Sequence, residues 1–150
     1  MKPSETVDFN IKAAWHAIFR MYNTEASKHD ISTAIGYVLI NIDKEEGTPA
    51  TKIGPMMGME IHSLSRMLKS MEQKGLIYKK ADERDRRIQR IFLTPMGEEK
   101  RKISRNTILH FNNKVKSLIP KRKLDDFFGV LSDIQKLVDS DTVFVNGIKK

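Results

Sequence analysis

"HSLSRMLKSMEQKGLIYKKADERDRRIQRIFLTP" (residues 62–95) decides how this chain is read. Leu64, Met67, Leu68 and Met71 recur at i, i+3, i+4 and i+7, which makes one apolar face of a helix. Lys74 falls in its last turn, and Gly75 suits the left-handed position just past its end. "LIYKK" (76–80) and "RIQRIFL" (87–93) then read as two short strands, rich in β-branched and aromatic residues. Between them "DERDRR" (82–87) packs three acids and three arginines into a turn. Thr94-Pro95 offers a capping hydroxyl followed by proline at the first helical position, the start signal of another helix.

Working outward, Thr48-Pro49 repeats that start signal and opens a short helix that buries Ala50, Ile53 and Met57. "GPMMG" (54–58) interrupts it, because Pro55 lacks the N–H that a helix interior needs; local distortion is expected there, with Gly58 starting the turn to the next helix. Further upstream, Val7, Ile11, Ala14, Trp15, Ile18, Phe19 and Tyr22 form one apolar stripe on a long helix, for which Ser4 is a plausible cap. A second helix, capped by Asp30 or Ser32, repeats Ile35, Val38, Leu39 and Ile42 and ends at "DKEEG" (43–47). Downstream, Ile103, Ile108, Phe111, Val115 and Leu118 mark a long helix stopped by Pro120, and Leu124, Phe127, Phe128, Leu131, Ile134 and Val138 mark a final one. The last ten residues, "DTVFVNGIKK", are apolar in part but show no period.

A short helix, a tight turn, a helix and a β-hairpin make a winged helix-turn-helix. The expected fold is therefore mainly α with a small β-hairpin. A winged helix-turn-helix lobe over 31–99 is flanked by N- and C-terminal dimerisation helices over 1–30 and 100–150, all in a single domain of 150 residues. The flanking helices carry apolar stripes that need a covering surface, and a second copy of the chain can supply one.

The net charge of +8 favours polyanionic partners. Residues 60–105 hold 13 Lys and Arg against 7 Asp and Glu, so most of the excess lies in under a third of the chain. No cysteine is present, which excludes disulfides, cysteine-ligated zinc and thiol chemistry. No apolar run approaches the roughly 18 residues of a membrane span, and the N-terminus lacks a secretory apolar segment; a cytoplasmic protein with no membrane partner is expected. No phosphate-binding glycine loop, nucleophile elbow or paired-carboxylate site appears, so no enzyme and no cofactor is expected.

With Leu64, Leu68 and Met71 inward, the 100° step puts His62, Arg66, Lys69 and Gln73 on the opposite face, flanked by Ser63, Ser65 and Ser70. A major-groove reader needs such small hydrogen-bonding groups at base edges and cations on phosphates, although a plain amphipathic surface helix would look the same. A hairpin tip that follows such a helix lands beside the minor groove, where an extended arginine fits. Asp82 and Asp85 can hold neighbouring guanidinium groups and shape the tip. The expectation is that Arg84 and Arg87 are held near the acids while Arg86 projects. A disordered charged turn is the alternative.

"DERDRRIQRIFLTPMG" (82–97) resembles the wing of the MarR family of bacterial transcription regulators, Asp-x-Arg-Asp-x-Arg, a strand, then Leu-Thr-x-x-Gly. "SLSRMLKSMEQKGLI" (63–77) is similar to the family's recognition helix, with its Ser-Arg pair and closing Lys-Gly-Leu-Ile. The resemblance implies a roughly triangular homodimer with intertwined terminal helices. It implies double-stranded DNA as partner, usually a pseudo-palindromic operator bound as a repressor, and a small aromatic or phenolic ligand that releases the DNA. It places the minor-groove arginine on Arg86, the recognition-helix arginine on Arg66, and His62, Ser63 and Ser65 on groove-facing positions. The glycine and proline of "GPMMG" depart from the family's regular helix, and the missing cysteine excludes the peroxide sensing of some members.

A ligand pocket would draw on Trp15, Phe19, Tyr37 and Phe111, with His16 as a polar group, although aromatics at helical spacing are as readily dimer core. His16, His29, His62 and His110 are scattered without metal-ligand spacing, so no metal site is expected. The competing function is a nonspecific architectural DNA- or RNA-binding protein using the same basic surface.

Overall fold

The computed structural model describes residues 1–140 and 142–144. Residues 1–108 form one compact unit, and the chain from Leu109 onward forms a second. The final segment expected to lack a period falls largely outside the described residues.

The first unit opens with a single 3-10 turn, Pro3–Glu5, and then α1 (Val7–Ser27). Thr6, not Ser4, occupies the N-cap of α1, because the 3-10 turn takes up the residues before it. α2 (Thr33–Asn41) follows, capped by Ser32, whose Oγ accepts the Ile35 N–H at 3.2 Å. Asp30 instead takes a left-handed turn conformation with φ 58°.

The helix that Thr48-Pro49 announces is present but starts one residue later, at Ala50, because the dipeptide itself joins the sheet. The dipeptide is a two-residue strand, β1, paired antiparallel with Ile91 and Arg90. The Thr48 hydroxyl is used locally, accepting the Asp43 N–H at 2.9 Å, and Pro49 becomes the N-cap of α3 (Ala50–Met57). "GPMMG" does not break the helix: α3 runs through Pro55. In an eight-residue helix the absent N–H forfeits only the bond to the Thr51 carbonyl. Gly58 then stops it at φ 59°, with Met59 N–H donating back to the Gly54 carbonyl at 3.1 Å.

α4 (Ile61–Gln73) leads through Gly75, at φ 70°, into β2 (Ile77–Ala81) and β3 (Gln89–Leu93). The sheet is therefore three-stranded, in the order β1-β3-β2, where the sequence announces only a hairpin. Thr94 caps α5 (Pro95–Leu118) as its sequence predicts, its Oγ1 accepting the Gly97 N–H at 3.0 Å.

One apolar core holds α2, α3, α4 and the sheet together, centred on Val38, Leu39, Ile42, Ile53, Met71 and Ile91, each no more than 1% exposed. In the second unit α5 ends and α6 (Lys121–Asp139) follows. Phe127, Phe128, Val130, Leu137 and Val138 of α6 are exposed, as are Val7, Phe9, Ile11 and Trp15 of α1 in the first unit. The stripes read in the sequence are present, and the single chain leaves them largely uncovered.

Candidate nucleic-acid interface

α4 is anchored by its inward face and offers the other. Leu64, Leu68 and Met71 are buried, while His62, Ser63, Ser65, Arg66, Lys69 and Gln73 are exposed. Ser70 is half-buried. Among the described residues, the Arg66 guanidinium and the Lys69 ammonium have no hydrogen-bond or ion-pair partner. These cations stand unneutralised on a helix whose other face is fixed in the core. Glu72 at the helix end reaches across to Lys79 on β2, Nζ–Oε2 3.4 Å, which ties helix to wing.

The wing tip is an ordered turn. Asp82 is 9% exposed and its Oδ1 accepts the Arg84 N–H at 2.8 Å and the Asp85 N–H at 3.0 Å, an Asx-turn arrangement. Backbone bonds from Asp82 N–H to the Ile88 carbonyl and from Ile88 N–H to the Asp85 carbonyl, both 2.9 Å, close the loop. Asp85 holds Arg87, accepting from Nε at 3.1 Å and from Nη2 at 3.3 Å. Arg87 is thus fastened as the sequence reading has it. Arg84 is not: its N–H is engaged by Asp82, but its guanidinium has no acidic partner among the described residues. Arg84 and Arg86 both stand exposed.

The guanidinium that pairs with Asp82 belongs to Arg90, a residue the sequence reading passed over as a strand position. Arg90 Nε donates to Asp82 Oδ2, and its Nη1 donates to the carbonyls of Glu46 at 3.0 Å and Gly47 at 3.1 Å. One side chain therefore joins the wing to the loop before β1. Its signal was cross-strand and long-range: an arginine eight residues from the acid becomes its neighbour only once the hairpin folds. The Arg90 guanidinium, and after it the N–H groups of Asp85 and Arg84, hold the Asp82 carboxyl down at about 2. Asp85 is likewise held below the usual carboxylate range, first by the Arg87 side chain.

The residues proposed for a ligand fall in two places. Trp15, Phe19 and Tyr37 are neighbours, with ring centroids 5.8 Å apart for Trp15–Phe19 and 6.3 Å for Trp15–Tyr37. Tyr22, which the sequence reading left out, extends the series edge-on to Tyr37 at 6.5 Å. His16 is exposed on α1, and Phe111 belongs to the second unit. A small apolar cleft lies between α1, α2 and the start of α5, with Tyr22, Thr33, Gly36, Tyr37, Ser104 and Ile108 in its lining. Its volume is about 30 Å³, room for a few waters but not for a ring without movement of its walls. Thr33 is 6% exposed and its Oγ1 is buried with no partner among the described residues. Burial pushes the Tyr22 phenol up to about 12 and raises that of Tyr37, so both stay neutral.

A helix-turn-helix of α3 and α4, completed by the β2–β3 wing, defines the class: a winged helix-turn-helix protein. The MarR family model matches residues 36–89, which hold α2, α3, α4 and the wing. Over 89 residues the chain is 32% identical to the HTH-type transcriptional regulator TtmR of Methylorubrum extorquens, a match covering 59% of this chain and 46% of TtmR. The chain thus matches rather less than half the length of that relative. In fold it is similar to MepR of S. aureus in a crystal structure of its DNA complex, with TM-score 0.80 and 18% identity over 87% of this chain and 97% of the other. It is also similar to CouR of Rhodococcus jostii bound to p-coumaroyl-CoA, with TM-score 0.78 and 18% identity over 89% and 94%. The match to the MarR family model thus falls on the winged helix-turn-helix of this chain.

Proposed function

We propose that the chain is a sequence-specific DNA-binding transcriptional regulator that acts as a homodimeric repressor on a pseudo-palindromic operator and is released by a small-molecule ligand. The observation that carries this reading is the joint presentation of two sets of unpaired cations, Arg66 and Lys69 on α4 and Arg84 and Arg86 on the wing, by elements fixed to one core. α4 lies in the major groove, with His62, Ser63 and Ser65 at base edges and Arg66 and Lys69 toward phosphates. Arg86 enters the adjacent minor groove, while Arg87, tied to Asp85, braces the tip. TtmR's description as a transcriptional regulator and MepR's complex with DNA support the same reading.

The segments 1–30 and 100–150 supply the dimer contacts, for which the exposed apolar faces of α1 and α6 are the support. The cleft beside Thr33 supports a ligand that brings one hydrogen-bonding group to an apolar site, and CouR's complex with p-coumaroyl-CoA supports the same reading.

The deciding experiment is fluorescence anisotropy across a salt series, comparing a duplex from upstream of the gene, or one selected in vitro, with a scrambled duplex. A preference of about a thousandfold near physiological salt is expected. Arg86→Ala should weaken binding and lower the salt slope by about one unit. Equal binding to both duplexes would favour the architectural alternative, and wild-type affinity in Arg86→Ala would remove Arg86 from the interface.

A further inference from the structure

α4 begins with an apolar residue that the core does not use. Ile61 is 77% exposed, although α4 buries Leu64, Leu68 and Met71. The other exposed positions of this helix are His62, Ser63, Ser65, Arg66, Lys69, Glu72 and Gln73, all polar. Ile61 lies one turn before Ser65 and next to His62, at the rim of the cation-bearing face. Single exposed apolar residues are ordinary on protein surfaces and need no role. This one is β-branched at the first turn of a helix, where its branching gives no helix-forming advantage. It also stands on the surface proposed to meet base edges.

The major groove has one apolar group, the C5-methyl of thymine. A β-branched side chain is held to few χ1 rotamers, so it presents fixed methyl surface at little entropic cost. Serine and histidine beside it read donors and acceptors but cannot recognise a methyl. We infer that Ile61 is a specificity-determining residue that selects thymine by packing on its C5-methyl group at one position of each half-site. The inference rests on α4 being the major-groove helix.

The test replaces thymines one at a time by deoxyuridine in the best duplex selected in vitro by the wild-type protein. This removes the methyl and leaves base pairing intact. Loss of one buried methyl at one thymine per half-site should weaken wild-type binding about fourfold. The same replacement should leave Ile61→Ala indifferent at that thymine, while Ile61→Val keeps most of the sensitivity. Because Ile61 is exposed, both variants should fold, which circular dichroism checks. A wild-type protein that prefers its selected duplex but ignores every methyl would overturn the inference and leave the DNA-binding reading standing. Unchanged methyl sensitivity in Ile61→Ala would also overturn it. Failure to select any duplex would sink the DNA-binding reading and this inference together.

Discussion

At Asp82 one carboxylate serves two structures, the turn through Oδ1 and the Arg90 guanidinium through Oδ2. Its folded value of about 2 lies below the ordinary 3.8, so the ionised form is the one the fold prefers. The stability it contributes is fully present above about pH 4 and is lost as pH falls through about 2. We predict that the Arg90 Nε–H resonance and the exchange protection of the Arg84 and Asp85 amides, which bond to the Asp82 carboxylate, follow one acid transition with a midpoint near 2. In Asp82→Asn that transition should disappear, since the amide can still accept from the turn but carries no charge. A midpoint near 4 in the wild type would mean that Asp82 and Arg90 are not paired in solution. "DERDRR" displays the acids and arginines plainly, yet not their pairing. Asp85 with Arg87 is local and could be read; Asp82 with Arg90 depends on the β2–β3 register that sets Lys80 opposite Arg90.

At the scale of elements, the junction of wing and α5 depends on one contact. A Cβ at Gly97 would lie 1.9 Å from the Leu76 carbonyl oxygen, so the first turn of α5 can seat on the backbone just before β2 only with hydrogen there. Thr94 fastens the same place, donating its hydroxyl to the Gly75 carbonyl at 2.5 Å while its backbone N–H donates to the Leu76 carbonyl at 3.1 Å. Gly97→Ala should therefore destabilise the protein by about 3 kcal/mol or more, because backbone has to move. Gly36→Ala meets a serine hydroxyl, Ser104 Oγ at 2.8 Å, which can rotate away, and should cost clearly less. Urea unfolding of the two variants checks the order; equal losses would argue against the carbonyl contact. The Leu-Thr-x-x-Gly pattern was legible as a motif, and its physical reason is this close approach. Thr48-Pro49 shows the opposite case. The same cap-then-proline signal stands before α3, but pairing with β3 took the dipeptide into the sheet.

For the whole molecule, the apolar faces left open on α1 and α6 decide what is expected in solution. Trp15 is 46% exposed and Phe128 58%, values unusual for such large rings when many stand on two helices. A dimer at micromolar concentration is expected by sedimentation velocity. Phe128→Asp should weaken its association at least about tenfold by placing a charge in an apolar interface. A wild-type monomer would refute the dimer. In a dimer complex, half-sites should lie about 10 to 10.5 base pairs apart, centre to centre.

Side-chain periodicity determined that this chain is mainly helical and which faces of α2 and α4 turn inward, and local capping and turn chemistry determined where Gly58, Gly75 and Thr94 end or start helices. These are local properties, set by side-chain spacing and backbone conformation within a few residues. Only the tertiary structure decided that Thr48-Pro49 is a third strand, that Arg90 is the partner of Asp82, and that α3 tolerates Pro55. Each depends on a contact between segments far apart in sequence, or on how many hydrogen bonds a short helix has to lose. A pattern confined to one segment carries no trace of what that segment will meet across the fold.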